Sequence, residues 1–245
     1  MNKLPLALLP ALVLLSACVT TSSGSSNRQD SDGVSQNTID NVQLASAYLQ
    51  RNQFEAALQK LNKALDNDPD YAPAHTVMAL LQERLGNLTR AGQHYETAAG
   101  LDSENAGAQN NYGTYLCRNG QAEEAQKYFT LALENPLYRT PEVALTNAGT
   151  CALDSGNQEK SELYLRKALE YIADYSAALL PLAQIHFDKG EFLNARAFLQ
   201  RYESAGVVNA QSLLLGFHIE QKLGNEARAG YYRGELLKLD PDIEI

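Results

Sequence analysis

The sequence contains no tryptophan, only three cysteines and no run of basic residues. Three cysteines cannot build the dense disulfide framework of a small secreted domain. The formal net charge is −9, and without clustered lysine and arginine the chain lacks the electrostatic surface that nucleic acids require. We therefore expect no nucleic-acid partner. Abundant alanine and leucine, with unexceptional glycine and proline content, favour an all-α fold over a β-sandwich or barrel.

The apolar stretch at residues 4–15 is too short for a comfortable transmembrane helix, which needs about 20 residues. It follows the positive charge of Lys3 and precedes the small residues Ser16 and Ala17. This order of a charged start, an apolar stretch and small residues is typical of an export signal. Residues 1–17 are therefore predicted to be a cleaved signal peptide.

The residues Leu15-Ser16-Ala17-Cys18 resemble the bacterial lipobox, in which the cysteine sulfur receives a diacylglycerol before the signal is cleaved. The resemblance implies that Cys18 becomes the lipidated first residue of a mature lipoprotein. Val19 follows, where lipoproteins retained in the inner membrane usually carry Asp. The resemblance therefore points to the periplasmic face of the outer membrane. Several acyl chains anchor a protein firmly, because each buried methylene contributes about 0.8 kcal/mol.

Residues 18–37 are predicted to be the lipidated cysteine and a flexible tether. The segment is rich in Ser, Thr, Gly, Asn and Asp and offers almost nothing to bury. A flexible chain of this length has a root-mean-square span of about 25 Å. The folded domain, over residues 38–245, would therefore stand off the membrane.

Five glycines recur at a nearly constant spacing. Gly86, Gly120, Gly156, Gly190 and Gly224 are separated by 34, 36, 34 and 34 residues, and each lies between two amphipathic stretches. Such a glycine can end one helix in the left-handed conformation and begin the turn to the next. Asn52, the next-best residue for that conformation, lies 34 residues before Gly86.

This pattern resembles the tetratricopeptide repeat, a 34-residue helix-turn-helix unit. The first unit carries its signature residues at Leu44, Ala45, Tyr48, Ala57, Leu61, Ala64 and Pro69. Later units depart from the signature at Ser161, Tyr202, Phe217 and Leu236. The resemblance implies a right-handed superhelix whose concave face is lined by the first helix of each unit. Six repeats are predicted near residues 38–71, 72–105, 106–139, 142–175, 176–209 and 210–243.

The residue types that carry enzyme chemistry form no constellation in this sequence. His75, His94, His186 and His218 are far apart in repeat space, which predicts no metal site. There is no glycine-rich phosphate loop, no nucleophile elbow and no His-Glu-x-x-His motif. We therefore expect no enzymatic activity, no small-molecule substrate, and no cofactor besides the covalent lipid on Cys18.

Cys117 and Cys151 are 34 residues apart and fall near the ends of the first helices of units three and four. An oxidising periplasm and an even count, once Cys18 is assigned to lipid, favour a disulfide. The alternative is two buried thiols that act as small apolar side chains. The choice depends on the distance between the two Cα atoms, which must be about 4.4 to 6.8 Å for a disulfide.

The repeat register places a set of side chains on the concave face of units one to three. The apolar members of this set are Ile39, Val42, Leu49 and Leu80. Exposed apolar residues on such a face indicate a binding site, although the tether or an N-terminal cap could instead cover them. Asn110 and Arg118 could hold the backbone of a bound peptide by hydrogen bonds. We expect an extended or helical partner segment in this groove.

Three segments carry a more specific resemblance, to the type IV pilus pilotins known as PilF or PilW. They are Asn110 to Cys117, Ala122 to Ala125, and Ala144 to Cys151 with Gly156. The resemblance implies an outer-membrane lipoprotein that binds the pilus secretin and promotes its localisation and multimer assembly. The alternatives are a repeat lipoprotein that is a scaffold for peptidoglycan hydrolases or for outer-membrane protein assembly.

Overall fold

The computed structural model describes residues 34–240, which form twelve α-helices. The helices are α1 (Gln36–Gln50), α2 (Phe54–Asn67), α3 (Ala72–Arg84), α4 (Leu88–Leu101), α5 (Ala106–Arg118), α6 (Ala122–Glu134), α7 (Pro141–Asp154), α8 (Gln158–Tyr171), α9 (Ser176–Asp188), α10 (Phe192–Ser204), α11 (Ala210–Lys222) and α12 (Glu226–Leu239). The predicted signal peptide, Cys18 and most of the predicted tether lie outside the described residues. Within the described range, no helix is both long and apolar enough to cross a membrane.

Each repeat turns between its two helices at a residue with positive φ. The five glycines of the 34-residue spacing have φ between +69° and +83°, and Asn52 has φ +57°. Because an L side chain is strained in this region, glycine is the residue that most readily ends the first helix there. Asn52 and the five glycines therefore lie at the turns inside six helix pairs.

The two helices of a pair approach closely where a small residue faces a large one. At Gly113, an added Cβ atom would lie 2.9 Å from a ring carbon of Phe129 and 3.2 Å from the carbonyl oxygen of Ala125. Gly149 faces Leu165 in the same way in the next repeat. A missing side chain on α5 or α7 thus makes room for a large one on the second helix of the pair.

The pattern of helix contacts sets the curvature of the array. Each first helix contacts the first helix of the next repeat, from α1 with α3 through to α9 with α11. Among residues 34–240, no such contact joins the second helices of neighbouring repeats. The first helices therefore lie on the inner side and the second helices on the outer side, which confirms the predicted all-α tetratricopeptide superhelix.

The core runs through the array as a chain of clusters rather than as one centre. One cluster joins the first two repeats around Leu61 and Leu81, and another joins repeats two to four around Tyr95 and Phe129. The last two repeats share a cluster that includes Tyr232. Because each cluster spans a junction, every repeat depends on its neighbours to bury its apolar face.

Candidate functional site

The concave face is crosslinked between repeats three and four by a disulfide. Cys117 on α5 and Cys151 on α7 are paired, with their Cα atoms 5.7 Å apart. This separation lies within the range that a disulfide requires, because α5 and α7 contact each other directly. The structure therefore contains the disulfide, which the sequence alone could not distinguish from two buried thiols.

A second crosslink joins repeats two and three through Glu83. Arg118 Nη2 lies 3.0 Å from Glu83 Oε1, and the Tyr95 hydroxyl donates a 2.8 Å hydrogen bond to Glu83 Oε2. Burial raises the pKa of Tyr95, and the hydrogen bond to the Glu83 carboxylate raises it further. The tyrosine therefore remains a neutral donor, and the carboxylate is oriented from two sides. The side chain of Arg118 is 58% exposed, and its contact with a bound peptide stays a prediction.

A third crosslink consists of side-chain amides and a hydroxyl. Asn147 on α7 donates from Nδ2 to Asn110 Oδ1 at 3.0 Å and to Thr114 Oγ1 at 3.2 Å. Asn110 is only 6% exposed. Its side-chain oxygen is engaged within the protein, so Asn110 helps to fix α7 against α5.

Apolar surface remains available at the N-terminal end of the concave face. Leu80 on α3 is 39% exposed, and Ile39 on α1 is partly exposed. Leu80 lies one helical turn before Glu83, so an apolar side chain adjoins a charged pair on the same helix face. A partner segment with apolar and polar side chains would find complementary groups here.

The prediction that Val42 and Leu49 are exposed in the groove is wrong. Val42 is 7% exposed and packs with Ala64 and Ala74, while Leu49 is 8% exposed and belongs to the cluster around Leu61. The cause is the close approach of α3 to α1, which small residues such as Ala74 permit. Both residues are core positions.

The expectation that all four histidines are far apart is also wrong for one pair. Nδ1 of His75 and Nδ1 of His94 are 3.0 Å apart, and His75 Nε2 lies 2.8 Å from the Pro69 carbonyl oxygen. Burial lowers the pKa of His94, and the neighbouring His75 lowers it further. Within residues 34–240, no group of three or more His, Cys, Asp or Glu side chains could hold a metal ion.

His186 is buried in a polar cluster at the junction of α8, α9 and α10. Its Nδ1 atom lies 2.5 Å from Glu191 Oε2, and its Nε2 atom lies 3.0 Å from Arg166 Nη2. The ring stacks on Phe198, with centroids 5.1 Å apart. With only 3% of its surface exposed, this histidine joins helices rather than facing a ligand.

Sequence reasoning missed the roles of Tyr95 and Asn147. Tyr95 occupies a packing position of the repeat. The hydrogen bond from its hydroxyl to Glu83 is visible only in the structure, where the two helices of the pair face each other. Asn147 lies beside a concave position, and its spacing from Asn110 by 37 residues exceeds one repeat because the connection before α7 is longer. The 34-residue spacing alone therefore does not align these two amides.

The chain matches known tetratricopeptide-repeat proteins in both sequence and fold. Family models described as TPR repeat and tetratricopeptide repeat match residues 45–86, 76–138 and 143–175. The chain is 30% identical over 228 residues to the type IV pilus assembly protein PilF of Pseudomonas aeruginosa, covering 93% of this chain and 90% of that protein. The chain belongs to the type IV pilus biogenesis family of tetratricopeptide-repeat proteins.

Two solved structures of this PilF/PilW family have the same fold. The crystal structure of PilW, a widely conserved type IV pilus biogenesis factor, matches with a TM-score of 0.79 and 30% identity, covering 85% of this chain and 96% of that one. A structure of PilF from Pseudomonas aeruginosa matches with a TM-score of 0.79 and 29% identity, covering 84% and 93%. Membership in this family indicates a role in type IV pilus biogenesis that involves protein partners.

Proposed function

We propose that this protein is a pilotin, an outer-membrane lipoprotein that binds the type IV pilus secretin and promotes its localisation and multimer assembly. The similarity to PilF over 93% of the chain is the observation that carries this proposal. The lipobox resemblance at Leu15 to Cys18 adds a means of anchoring. Together they support the proposal of a binding scaffold that is confined to a membrane surface.

The lipid and the concave face have separate tasks in this mechanism. Acyl chains on Cys18 would hold the protein at the membrane, and the tether would let the repeats reach a nearby secretin subunit. Confinement to one surface raises the effective concentration of a bound secretin segment there. Subunits gathered in this way meet each other more often, which promotes the multimer.

The secretin segment would bind at the exposed end of the concave face. Leu80 and Ile39 supply apolar surface, and the pair of Glu83 and Arg118 supplies charge of both signs. The three crosslinks described above hold this face in one arrangement before binding. A preformed surface loses little conformational entropy when a partner binds, which favours affinity.

Replacing the lipidated cysteine tests the proposed division of tasks. In a strain that lacks the gene, a Cys18→Ser protein is expected to be absent from the outer-membrane fraction and to leave the secretin without heat-stable multimers. The same purified protein should bind the secretin as tightly as the unaltered one. The proposal would be rejected if the Cys18→Ser protein restored multimers in the outer membrane, or if the unaltered protein did not bind secretin.

The surface is tested by a matched pair of substitutions. Leu80→Arg is expected to weaken secretin binding at least about tenfold, because it places a charge in the apolar contact. Leu163→Arg on the outer helix α8, where the leucine is 54% exposed, is the control and should bind normally. Both proteins should keep full helicity by circular dichroism. Equal affinity of the two variants would place the secretin site elsewhere on the protein.

A further inference from the structure

The turns that join successive repeats lie along one edge of the array. Short turns connect the helices, so neighbouring helices run antiparallel, and each second helix ends where the next first helix begins. The N-terminus of α1, capped by Ser35, lies at the same edge. The chain that leads back to Cys18 therefore leaves the array here. We call this the inter-repeat edge, and its turns are residues 68–71, 102–105, 135–140, 172–175 and 205–209.

The last three of these turns project apolar side chains into solvent. Leu137 is 84% exposed in the first of them, Tyr171 and Ile172 are exposed at the second, and Val208 is 58% exposed in the third. Leu239, at the end of α12, is exposed at the same edge. At the opposite edge, the turn inside each pair consists of Gly or Asn followed by Asn, Gln or Glu. Apolar turn residues are thus a feature of the inter-repeat edge.

Hydrogen bonds hold the projecting turns in place. The Leu137 backbone N–H donates to Asn135 Oδ1 at 2.8 Å, and Asn135 Nδ2 donates to the Glu104 carbonyl of the preceding turn. Arg201 on α10 donates from Nη2 to the Ala173 carbonyl in the next turn. The apolar side chains are therefore presented on ordered turns, and a contact there costs little conformational entropy.

The first two turns of the edge are acidic instead. Asp68 and Asp70 lie in one, and Asp102 and Glu104 lie in the other, after an exposed Leu101. Negative charge of this kind is repelled by anionic headgroups. The edge is therefore divided into an acidic part at repeats one and two and an apolar part from the turn after repeat three onwards.

We propose that the apolar part of the inter-repeat edge rests on the lipid bilayer, with Leu137, Tyr171 and Val208 inserted among the headgroups and upper acyl chains. The inference rests on the lipid anchor at Cys18, which belongs to the proposed function. Interfacial protein surfaces bury their apolar side chains about 5–10 Å into this region of a bilayer. Tyrosine is enriched at that depth, because its ring is apolar and its hydroxyl is polar.

A bilayer fits these turns better than a folded protein does. A protein partner would need a matching pocket for each projecting side chain, whereas a fluid bilayer accepts them at any spacing. The predicted tether begins at the same edge and spans about 25 Å, so anchoring at Cys18 keeps the turns within reach of the membrane. Weak contacts suffice there because anchoring raises their effective concentration. The concave face then opens along the membrane plane, and Leu80 stays accessible to secretin.

The absence of tryptophan from the sequence permits a direct measurement of this contact. Val208→Trp places one fluorophore at the inter-repeat edge, and Leu193→Trp places one at the opposite edge, where that leucine is 63% exposed. Each lipidated mature protein is reconstituted in vesicles of phosphatidylethanolamine and phosphatidylglycerol, with part of the lipid brominated in the upper acyl chain. Because bromine quenches only nearby indole rings, the Val208→Trp protein is expected to lose most of its fluorescence and the Leu193→Trp protein to retain it. Equal quenching of the two proteins, or quenching of neither, would overturn the proposal.

Charge at one turn should also lift the neighbouring turn from the bilayer. In a protein whose only tryptophan comes from Tyr171→Trp, adding Val207→Asp and Val208→Asp is expected to remove most of the quenching, because a carboxylate is costly to bury. Adding Leu88→Asp and Leu193→Asp at the opposite edge is the matched control and should leave the quenching unchanged. All variants alter exposed side chains and should keep full helicity by circular dichroism. Equal quenching with the two pairs of aspartates would reject the contact.

Two measurements on the same vesicles separate this inference from the proposed function. Mass spectrometry of the N-terminus tests the lipid on Cys18, and cosedimentation of added secretin tests the binding. If both are intact but Val208→Trp is not quenched, the bilayer contact alone is rejected. A fluorescence change of Val208→Trp that appears only when secretin is added would assign the edge to a protein partner and would also overturn the bilayer contact. An unmodified Cys18 would reject the anchor and, with it, this inference.

Discussion

Leu49 and Leu80 both lie on the first helix of a repeat, but their surroundings differ. Leu49 is buried among Met78 and Leu81, and Leu80 is 39% exposed. Leu49→Ala is expected to lower the free energy of unfolding by about 2–5 kcal/mol, because it leaves a cavity. Leu80→Ala should change it by less than about 0.5 kcal/mol. Urea denaturation followed by circular dichroism measures both values, and equal losses would contradict the assignment of Leu49 to the core.

Single residues also mark the limit of what the sequence could predict here. The repeat register identified the helix face of Val42 but not its burial, because burial depends on how closely α3 approaches α1. The repeat register likewise did not predict the contact between His75 and His94, because it joins two helices at a sequence separation unrelated to the repeat length. A periodic pattern predicts the face of a helix, and side-chain volumes on the neighbouring helix decide what covers it.

Glu162 joins two helices through charge. Its carboxylate forms ion pairs with Lys189 and Arg166. These contacts lower the pKa of the carboxyl group from 4.5 to about 2, and the hydrogen bond from Lys189 has the largest effect. His186 Nε2 also faces it at 3.4 Å. Because the folded-state pKa is depressed, the stabilising contribution is complete above pH 4.5 and is lost as the pH falls towards 2.

This linkage predicts a specific effect of Glu162→Gln. Between pH 5 and pH 2.5, the unaltered protein should lose more free energy of unfolding than the variant, since the variant has no carboxylate to protonate at this site. Urea denaturation at the two pH values gives the comparison. A pH dependence that is the same in both proteins would show that the Lys189 and Arg166 contacts contribute nothing.

The disulfide between α5 and α7 is expected to stabilise the middle of the array. Closing a loop between residues 34 apart restricts the unfolded chain, and such bonds typically contribute about 2–4 kcal/mol. The double variant Cys117→Ser, Cys151→Ser should therefore unfold at lower urea concentration, and reductant should lower the midpoint of the unaltered protein but not of the variant. Thiol titration of the denatured protein without reductant provides a direct check, since two reactive thiols from these positions would contradict the pairing.

Across the whole molecule, stability is expected to be local to neighbouring repeats. Tyr232 on α12 is 2% exposed, and its hydroxyl donates to Glu203 on α10 at 2.9 Å. Tyr232→Ala should therefore speed hydrogen exchange in α9 to α12 and leave α1 to α4 protected, because no core cluster joins these ends. Mass spectrometry of exchanged peptides measures this, and uniform acceleration would indicate one cooperative unit instead.

At the same scale, the sequence predicted most of the architecture. The glycine spacing predicted six helix pairs. The positive φ values at those glycines give the reason, because the turn inside each pair favours glycine and glycine therefore recurs once per repeat. The cavity that Leu180, Pro181 and Tyr202 line was not predicted, although the tyrosine in place of alanine and the proline within a helix are both visible in the sequence. Each substitution can be recognised in the sequence, but only the structure shows that Tyr202 and Pro181 line the same cavity.

The contacts between successive first helices have a mechanical consequence. Because α1, α3, α5, α7, α9 and α11 already touch, the inner layer resists compression when the array bends further. Straightening would separate those same helices and, in the middle, strain the disulfide crosslink. These contacts therefore favour one curvature of the concave face, which would limit the thickness of any segment that binds there.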